Sequence, residues 1–246
     1  MEFRRLHPDP GAVEIPALLA ELRLAERASA ERPYVIANFV SSVDGRAAFD
    51  GRSGALGDDG DHALFHGLRE QVDGVLAGTG TLRAEHYGRL VRTPERVERR
   101  LARGLSATPV LCVITRSGRL PADLPLLADP ESVVLVYSGA PVDITGAAKI
   151  EVTQTDPSEL TPLSVLRRLR ADHGIRSVLC EGGPTLFGSL VHARVVDELF
   201  LTLAPKLAGG GPGPAITAGS ELPSPGEISL EWVLERAGSL FLRYRL

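Results

Sequence analysis

Apolar and polar residues are arranged along this chain in segments that switch between the spacing of strands and the spacing of helices. Short, nearly continuous apolar runs, typical of strands covered on both faces, occur at residues 34–41, 74–77, 110–115, 133–137, 177–180 and 196–204. A weaker strand pattern occupies residues 149–152, and helical spacing is found at residues 16–30, 58–72 and 161–173. Since strands and helices alternate through most of the chain, the pattern predicts an α/β fold with a largely parallel sheet.

The last part of the chain has a different pattern. Residues 205–226 include the stretch LAGGGPGPAI, which predicts a long loop, because glycine and proline at this density do not form regular structure. Residues 228–235 and 240–245, separated by RAGS, predict a closing antiparallel hairpin. No repeat or linker divides the sequence. We therefore expect one domain over residues 1–246, with a helical extension at 1–32 and a core at 33–246.

Composition narrows the classes of partner. The 246 residues are 43% hydrophobic and 24% charged, an ordinary globular balance. The net charge of -4 argues against a nucleic-acid partner, which usually requires a clustered positive surface. The one basic run, residues 92–103, is interrupted by acidic residues and has helical spacing, so we expect it to form a solvated helix face.

Cysteine usage and the chain start favour a reducing compartment. Cys112 and Cys180 each lie in an apolar stretch, which predicts buried thiols rather than a disulfide. His62, His66 and Glu70 share a helix face but have no evident fourth ligand, so we expect a surface group and no metal. Without a signal-peptide pattern or a membrane-length apolar run, the sequence predicts a cytoplasmic protein with no membrane partner.

Two glycine-rich turns carry the first functional signal. Gly78, Thr79, Gly80 and Thr81 follow one predicted strand, and Gly182, Gly183, Pro184 and Thr185 follow another. In doubly wound sheets, ligands bind outside the carboxyl ends of the strands, where each following helix begins with unpaired backbone N–H groups. Glycine lets a phosphate approach that backbone closely. A single turn of this kind is a weak signal, but two in one chain predict a nucleotide site.

The glycine turns lack the sequence patterns of two common classes of nucleotide site. Neither turn matches the P-loop pattern, so phosphoryl transfer is disfavoured, and the first is not an ordinary Rossmann fingerprint. A third strand end supplies Thr115, Arg116 and Ser117. Arginine recognises a 2′-phosphate where NAD sites use an acidic residue, so this group favours NADPH, although a solvated loop arginine is an equally good interpretation.

Four segments in the same order resemble the reductase domain of the bifunctional riboflavin-biosynthesis deaminase–reductase family. They are SSVDGRAA (41–48), GTGTLRAE (78–85), CEGGPTLFGSLV (180–191) and VDELFLTLAPKLAGG (196–210). The resemblance covers the chain from about residue 34 onwards and implies a three-layer α/β/α, dihydrofolate reductase-like domain with a mostly parallel mixed sheet. It further implies an NADPH-dependent homodimer. The zinc signature of the family's deaminase half is absent.

The resemblance also assigns roles to residues. It implies that the two glycine turns and Thr115–Ser117 bind the cofactor, and that Asp44 faces the substrate as the catalytic carboxylate. Asn38, Ser42, Arg46, Glu85 and Glu181 would complete the substrate-binding set, with Glu181 near the nicotinamide. Arg46 is a departure, because the family usually has lysine there.

The implied activity is reduction of 5-amino-6-(5-phosphoribosylamino)uracil, or its diamino precursor, by hydride delivery to C1′ of the ribose. Two alternatives stay open: reduction of another ring such as dihydrofolate, and a non-catalytic NADP-binding protein. The residue that binds the anionic end of the substrate is also open among Arg46, Arg83, Arg89 and Arg92.

Overall fold

Strands and helices alternate through most of the chain up to Ala204, and the computed structural model describes residues 1–211 and 213–246. Pro212, within the predicted loop, lies outside those residues. The helices are α1 (Ile15–Ala20), α2 (Asp59–Arg69), α3 (Thr79–Glu85), α4 (Pro94–Leu101), α5 (Pro162–His173) and α6 (Pro184–His192). The strands are β1 (Glu2–His7), β2 (Gly11–Glu14), β3 (Tyr34–Ser42), β4 (Gly74–Gly78), β5 (Val110–Thr115), β6 (Val133–Ser138), β7 (Lys149–Gln154), β8 (Ser177–Cys180), β9 (Glu198–Ala204), β10 (Ser229–Arg236) and β11 (Ser239–Arg245).

The chain forms two compact units, and the first is built from three separate segments: Met1–Arg23, Val35–Leu68 and Gly182–Leu246. Its strands follow the order β2-β1-β10-β11-β9-β3. All neighbours are antiparallel except β9 and β3, which are parallel. The predicted closing hairpin is confirmed. Its two turn residues, Ala237 and Gly238, both have positive φ, as a two-residue hairpin turn requires.

The second unit contains Leu24–Tyr34 and Arg69–Glu181. Its strands follow the order β8-β4-β5-β6-β7, and every pairing is parallel. β4 and β8 are buried along almost their whole length, whereas β7 alternates between exposed and half-buried positions, which explains its weaker sequence pattern. Cys112 and Cys180 are both buried and form no disulfide, which confirms the prediction of buried thiols.

The N-terminal segment differs from the expected helix over residues 16–30. It begins with the hairpin β1–β2, and α1 ends at Ala20, shortly before Arg23 takes a positive φ of 44°. Phe3 is the one fully buried side chain of β1, so the strand has almost no apolar alternation of its own. β1 forms by pairing with β10 near the other end of the chain, a contact that no local pattern reveals.

The basic run at residues 92–103 is exposed or half-buried, as expected of a solvated helix face, with the exception of Arg100. Within α4, Arg100 is fully buried while Leu101 is 55% exposed. The Arg100 guanidinium donates from Nη1 to the carbonyls of Arg69 (2.6 Å) and Val72 (2.8 Å), and from Nε to the carbonyl of Ser106 (2.8 Å). The carbonyls at the end of α2 thus receive donors from a distant side chain. Burial lowers the pKa of Arg100 to about 10, so the side chain still carries its charge at neutral pH.

This arrangement predicts that Arg100→Met lowers the free energy of unfolding by about 3 kcal/mol, because hydrogen bonds from a buried charge are lost. Arg99→Met is the matched control in the same helix. Arg99 is 39% exposed and pairs with Glu70, which keeps Arg96 as a second partner. The control should therefore lose no more than about 1 kcal/mol. Urea denaturation measures both, and equal losses would contradict the interpretation.

Candidate active site

The turn that follows β3 is built around the hydroxyl of Ser42. Ser42 is fully buried, and its Oγ donates to Oδ1 of Asp44 at 2.5 Å and accepts the backbone N–H of Arg46 at 3.0 Å. Gly45 lies between them with φ of 85°, a backbone conformation that favours glycine. The Ser-x-Asp-Gly sequence therefore folds into a tight turn that fixes the direction of the Asp44 side chain.

The Asp44 carboxylate binds the β9 loop, which comprises residues 205–211, 213 and 214. Oδ1 accepts the N–H of Ala208 at 3.1 Å, and Oδ2 accepts the N–H of Gly209 at 2.7 Å. Hydrogen bonds from Ser42, then from Ala208 and Gly209, lower the pKa of Asp44 to about 2. The side chain is consequently an exposed acceptor that is charged at neutral pH and holds a glycine-rich loop.

Arg46 binds the same loop through its side chain. Its Nη1 donates to the carbonyl of Gly213 at 2.5 Å, and its Nε donates to the carbonyl of Gly209 at 3.4 Å. A Cβ on Gly213 would lie 3.0 Å from the carbonyl oxygen of Ala48, so glycine allows the loop to approach this closely. Two neighbouring charges of opposite sign, Asp44 and Arg46, thus bind N–H groups and carbonyls of one loop.

Lys206 is a residue of this site that our sequence analysis did not assign. Its Nζ donates to three successive carbonyls, those of Ala55 (2.8 Å), Leu56 (2.9 Å) and Gly57 (3.3 Å). The N–H of Val43 also donates to the carbonyl of Lys206 at 3.0 Å. A single cation in the glycine-rich segment LAPKLAGG was the available signal. Lys206 connects the β9 loop to the segment that precedes α2.

Asn38 lies on the same face of β3 as Ser42, since side chains on a strand alternate between faces. It is 7% exposed, and its Oδ1 has no hydrogen-bond partner among the described residues. Buried side-chain oxygens normally have a partner, so this atom is an available acceptor. Ser42, Asp44 and Arg46 thus lie at the end of β3 and in the turn that follows it, and Asn38 lies four residues earlier on the strand.

The first glycine turn lies in the second unit, where β4 passes directly into α3. Gly78 is the residue before the helix, with φ of -77° and ψ of 152°, and it makes no side-chain cap. A Cβ on Gly80 would meet open space. The first backbone N–H groups of α3 therefore face an accessible surface. Glu85 is the exposed last residue of this helix, four residues after Thr81.

The third strand end, Thr115–Ser117, also lies in the second unit. Thr115 is buried, whereas Arg116 and Ser117 are exposed. Gly118 has φ of 71°, and a Cβ there would overlap the carbonyl oxygen of Pro141, so the turn needs glycine at this position. This close approach presents the guanidinium of Arg116 to solvent.

The second glycine turn begins after Glu181, the last residue of the second unit, and continues into α6 of the first. Gly182 has φ of 105°, and the peptide bond between Gly182 and Gly183 is cis. Pro184 is the first residue of α6, and Gly183 before it makes no side-chain cap. Within the first unit, the carbonyl of Pro184 accepts the N–H of Ala218 at 3.0 Å, and Thr185 is exposed.

Glu181 has surroundings that the sequence did not predict. Its side chain is 1% exposed and forms a two-point ion pair with Arg69, with Nε–Oε1 at 2.6 Å and Nη2–Oε2 at 2.7 Å. The hydroxyl of Tyr87 donates to Oε2 at 2.6 Å. Arg69 and Tyr87 are distant from Glu181 in the sequence and carry no motif, so local patterns offered no signal for them.

The four arginines considered for an anionic substrate group differ in their partners. Arg46 is engaged by the carbonyls of the β9 loop, and Arg89 pairs with Asp129 and Glu131. Arg92 donates from Nε to the carbonyl of Arg89 at 3.1 Å and is exposed. Arg83 is exposed on α3, with no side-chain hydrogen bond or ion pair within the described residues. Arg83 and Arg92 are thus the accessible members of the set.

The chain is similar in sequence to a known protein family and to named reductases. Residues 33–237 match the family described as the RibD C-terminal domain. The chain belongs to this family. It is 28% identical over 191 residues to the 2,5-diamino-6-ribosylamino-4(3H)-pyrimidinone 5′-phosphate reductase of Archaeoglobus fulgidus. The aligned region covers 76% of this chain and 87% of that protein. The protein of the same name from Methanothermobacter thermautotrophicus is 29% identical over 184 residues, or 73% of this chain and 81% of that protein.

Among solved structures, a pyrimidine reductase-like protein from Corynebacterium diphtheriae matches with a TM-score of 0.78 at 23% identity. The match covers 95% of this chain and 98% of that one. It confirms the predicted fold class, a mixed α/β fold of the dihydrofolate reductase-like type. Family membership and the names of the relatives support a reductase of the riboflavin pathway over a reductase of another ring. Among the described residues, no helix has the length and apolarity needed to cross a bilayer.

The contacts of Asp44 predict the result of replacing its charge. Asp44→Asn should loosen the β9 loop, because an amide has only one oxygen to accept the two N–H groups of Ala208 and Gly209. Amide hydrogen exchange at these two residues should be faster in the variant. Asp50→Asn, at an exposed position in the same unit, should leave both rates unchanged. Unchanged exchange in Asp44→Asn would show that the carboxylate does not hold the loop.

The pH dependence of these hydrogen bonds has a defined sign. The pKa of Asp44 is about 2 in the folded protein, below its ordinary value of 3.8. Its contribution to stability is therefore present above about pH 4 and is lost as the pH falls through about 2. Exchange at Ala208 and Gly209, corrected for the intrinsic rate, should be constant from pH 5 to pH 8.

Proposed function

We propose that this protein is an NADPH-dependent reductase of a phosphorylated ribosylamino-pyrimidine in riboflavin biosynthesis, delivering hydride to C1′ of the ribose. The match to the RibD C-terminal domain over residues 33–237 is the observation that carries the proposal. The two relatives named as pyrimidinone 5′-phosphate reductases are matched over most of their length. Their names support the diamino compound as the substrate, and the deaminated uracil product is the alternative that the family resemblance implies.

The residues present fit a dinucleotide. The turns Gly78–Thr81 and Gly182–Thr185 each lead into a helix that lacks a side-chain cap, so each offers free backbone N–H donors to a phosphate. When bound, the cofactor supplies the hydride, and the protein supplies orientation and charge. We assign the pyrophosphate and the nicotinamide end of the cofactor to these turns.

We assign the 2′-phosphate of NADPH to Arg116, with the hydroxyls of Thr115 and Ser117 beside it. The Arg116 guanidinium is exposed at a strand end, where it can form charge-assisted hydrogen bonds with a phosphate. NADH lacks this group, so Arg116 would distinguish the two cofactors.

Arg116→Ala should raise the KM for NADPH between about 10-fold and about 100-fold, the loss expected for a charge-assisted hydrogen bond. The KM for NADH should not change. Arg119→Ala, an exposed arginine just beyond the same turn, is the matched control and should affect neither cofactor. Steady-state kinetics with both cofactors measures the effect, and an equal rise for NADH and NADPH would remove Arg116 from 2′-phosphate recognition.

For Asp44 we propose a binding and orienting role at the substrate rather than a proton relay. A carboxylate with a pKa of about 2 is not protonated at neutral pH and is a weak base. It has about four acceptor positions, and three are used by Ser42, Ala208 and Gly209. The remaining position can accept a pyrimidine N–H. The unpartnered Oδ1 of Asn38 offers a second acceptor to the same ring.

The decisive experiment compares NADPH oxidation with the phosphorylated pyrimidine, its dephosphorylated form and dihydrofolate. We expect turnover of the phosphorylated pyrimidine, a large loss without the phosphate and none with dihydrofolate. Asp44→Asn should retain its affinity for NADPH and lose most of its turnover. Cofactor binding without turnover of any of the three compounds would favour a non-catalytic NADP-binding protein.

We also propose that Arg83 or Arg92 binds the substrate phosphate, since both guanidinium groups are accessible. The proposals for oligomeric state and cellular location rest on the family resemblance. We propose a homodimer, as the resemblance implies, and a cytoplasmic location, which is consistent with two buried cysteines that form no disulfide. Light scattering of the purified protein tests the homodimer.

A further inference from the structure

Arg69, Tyr87 and Glu181, which we name the Glu181 cluster, form a buried polar group that lies entirely in the second unit. Besides the two-point ion pair and the Tyr87 hydrogen bond described above, Arg69 donates from Nη1 to the carbonyl of Leu90 at 3.3 Å. The Arg69 guanidinium also lies 5.3 Å from the centre of the Tyr87 ring. Every side chain of the cluster therefore contacts the other two.

The cluster leaves Glu181 little freedom to contact a substrate. Its side chain is 1% exposed, and both carboxylate oxygens accept hydrogen bonds from Arg69, one of them also from Tyr87. Burial, and then the adjacent Glu181 charge, raise the pKa of Tyr87 well above its ordinary value, so the phenol stays protonated and continues to donate. The Glu181 side chain is therefore held in one orientation by Arg69 and Tyr87.

The Glu181 cluster adjoins the second glycine turn in the sequence. Glu181 directly precedes Gly182, and its own N–H donates to the carbonyl of Leu76 in β4 at 3.0 Å. Both its backbone and its side chain are thus held at the point where the chain enters the second glycine turn. Tyr87 follows α3 by two residues, and Arg69 is the last residue of α2.

Stability alone does not explain a buried ion pair here. Apolar side chains of similar volume often replace such a pair at no loss of stability. A two-point arginine–carboxylate pair differs from apolar packing because it fixes the direction of both planar groups. We propose that Arg69 and Tyr87 are positioning residues that hold Glu181, and through it the Gly182–Gly183 backbone, in the geometry that binds the cofactor. The consequence for the cofactor rests on the proposed function, whereas the positioning of the turn does not.

The test compares two tyrosine-to-phenylalanine variants in the same unit. Tyr87→Phe removes the hydroxyl that binds Glu181 and leaves the ion pair intact, so the variant should fold. Tyr137→Phe is the matched control. Tyr137 is 1% exposed, and its hydroxyl has no partner among the described residues. Glu181→Gln is less suitable, because it leaves the buried Arg69 charge unpaired and would be strongly destabilising.

The first readout is amide hydrogen exchange of the ligand-free protein, which needs no activity. We expect exchange at Glu181, whose N–H donates to the carbonyl of Leu76, to rise between about 10-fold and about 100-fold in Tyr87→Phe, with no change at β5. Tyr137→Phe should match the unmodified protein at every site. Unchanged exchange at Glu181, or a uniform rise across the second unit, would overturn the positioning role.

The second readout is the division of the effect between KM and kcat. Tyr87→Phe should raise the KM for NADPH between about 10-fold and about 100-fold with kcat nearly unchanged. Arg69→Lys keeps the charge but lacks the two-point geometry, so it should behave like Tyr87→Phe. An unmodified protein that fails to oxidise NADPH would contradict the proposed function, and the exchange data would still decide the role of the cluster.

Discussion

The parallel pairing of β3 with β9 is the constraint on which the site in the first unit depends. Ser42 lies opposite Ala204 in this pairing, so both strands end at the same edge. The Ser-x-Asp-Gly turn and the β9 loop therefore emerge side by side. Their exposed backbone groups need partners, and Asp44 and Arg46 supply them from a single turn. A slip of the register would separate the carboxylate from the loop that it holds.

Buried charge organises the second unit in a comparable way. Arg69 and Arg100 are both buried, and both bind groups far from them in the chain. The backbone carbonyl of Arg69 accepts a hydrogen bond from Arg100, while its side chain binds Glu181. One residue at the end of α2 thus joins two polar networks, one that terminates a helix and one that leads to a glycine turn.

The sequence predicted features with a local physical signature. Gly78–Thr81, Thr115–Ser117 and Gly182–Thr185 were placed correctly at strand ends, because each follows a short apolar run typical of a buried strand. The helix α5 was correct at both ends, since Thr161 and Ser164 form a reciprocal cap and Gly174 takes a positive φ of 65°.

What the sequence did not reveal depends on long-range contacts. β1 exists because of its pairing with β10, and Arg100 is buried because carbonyls of another helix receive its hydrogen bonds. Tyr87 looked like an ordinary loop residue, and Lys206 like a surface lysine. In each case, the partner lies too far along the chain for spacing to indicate it. The roles of the site residues in binding and catalysis remain predictions, supported by geometry and family.

The division of the first unit among three segments bears on how the chain is synthesised. Residues 69–181 already contain all five parallel strands of the second unit, so that unit can form while the chain is still on the ribosome. β3 is buried along its whole length, yet its partner β9 is made much later. Until then, its apolar strand edge is exposed. Residues 35–42 are therefore open to wrong strand pairing in the nascent chain until β9 has been made.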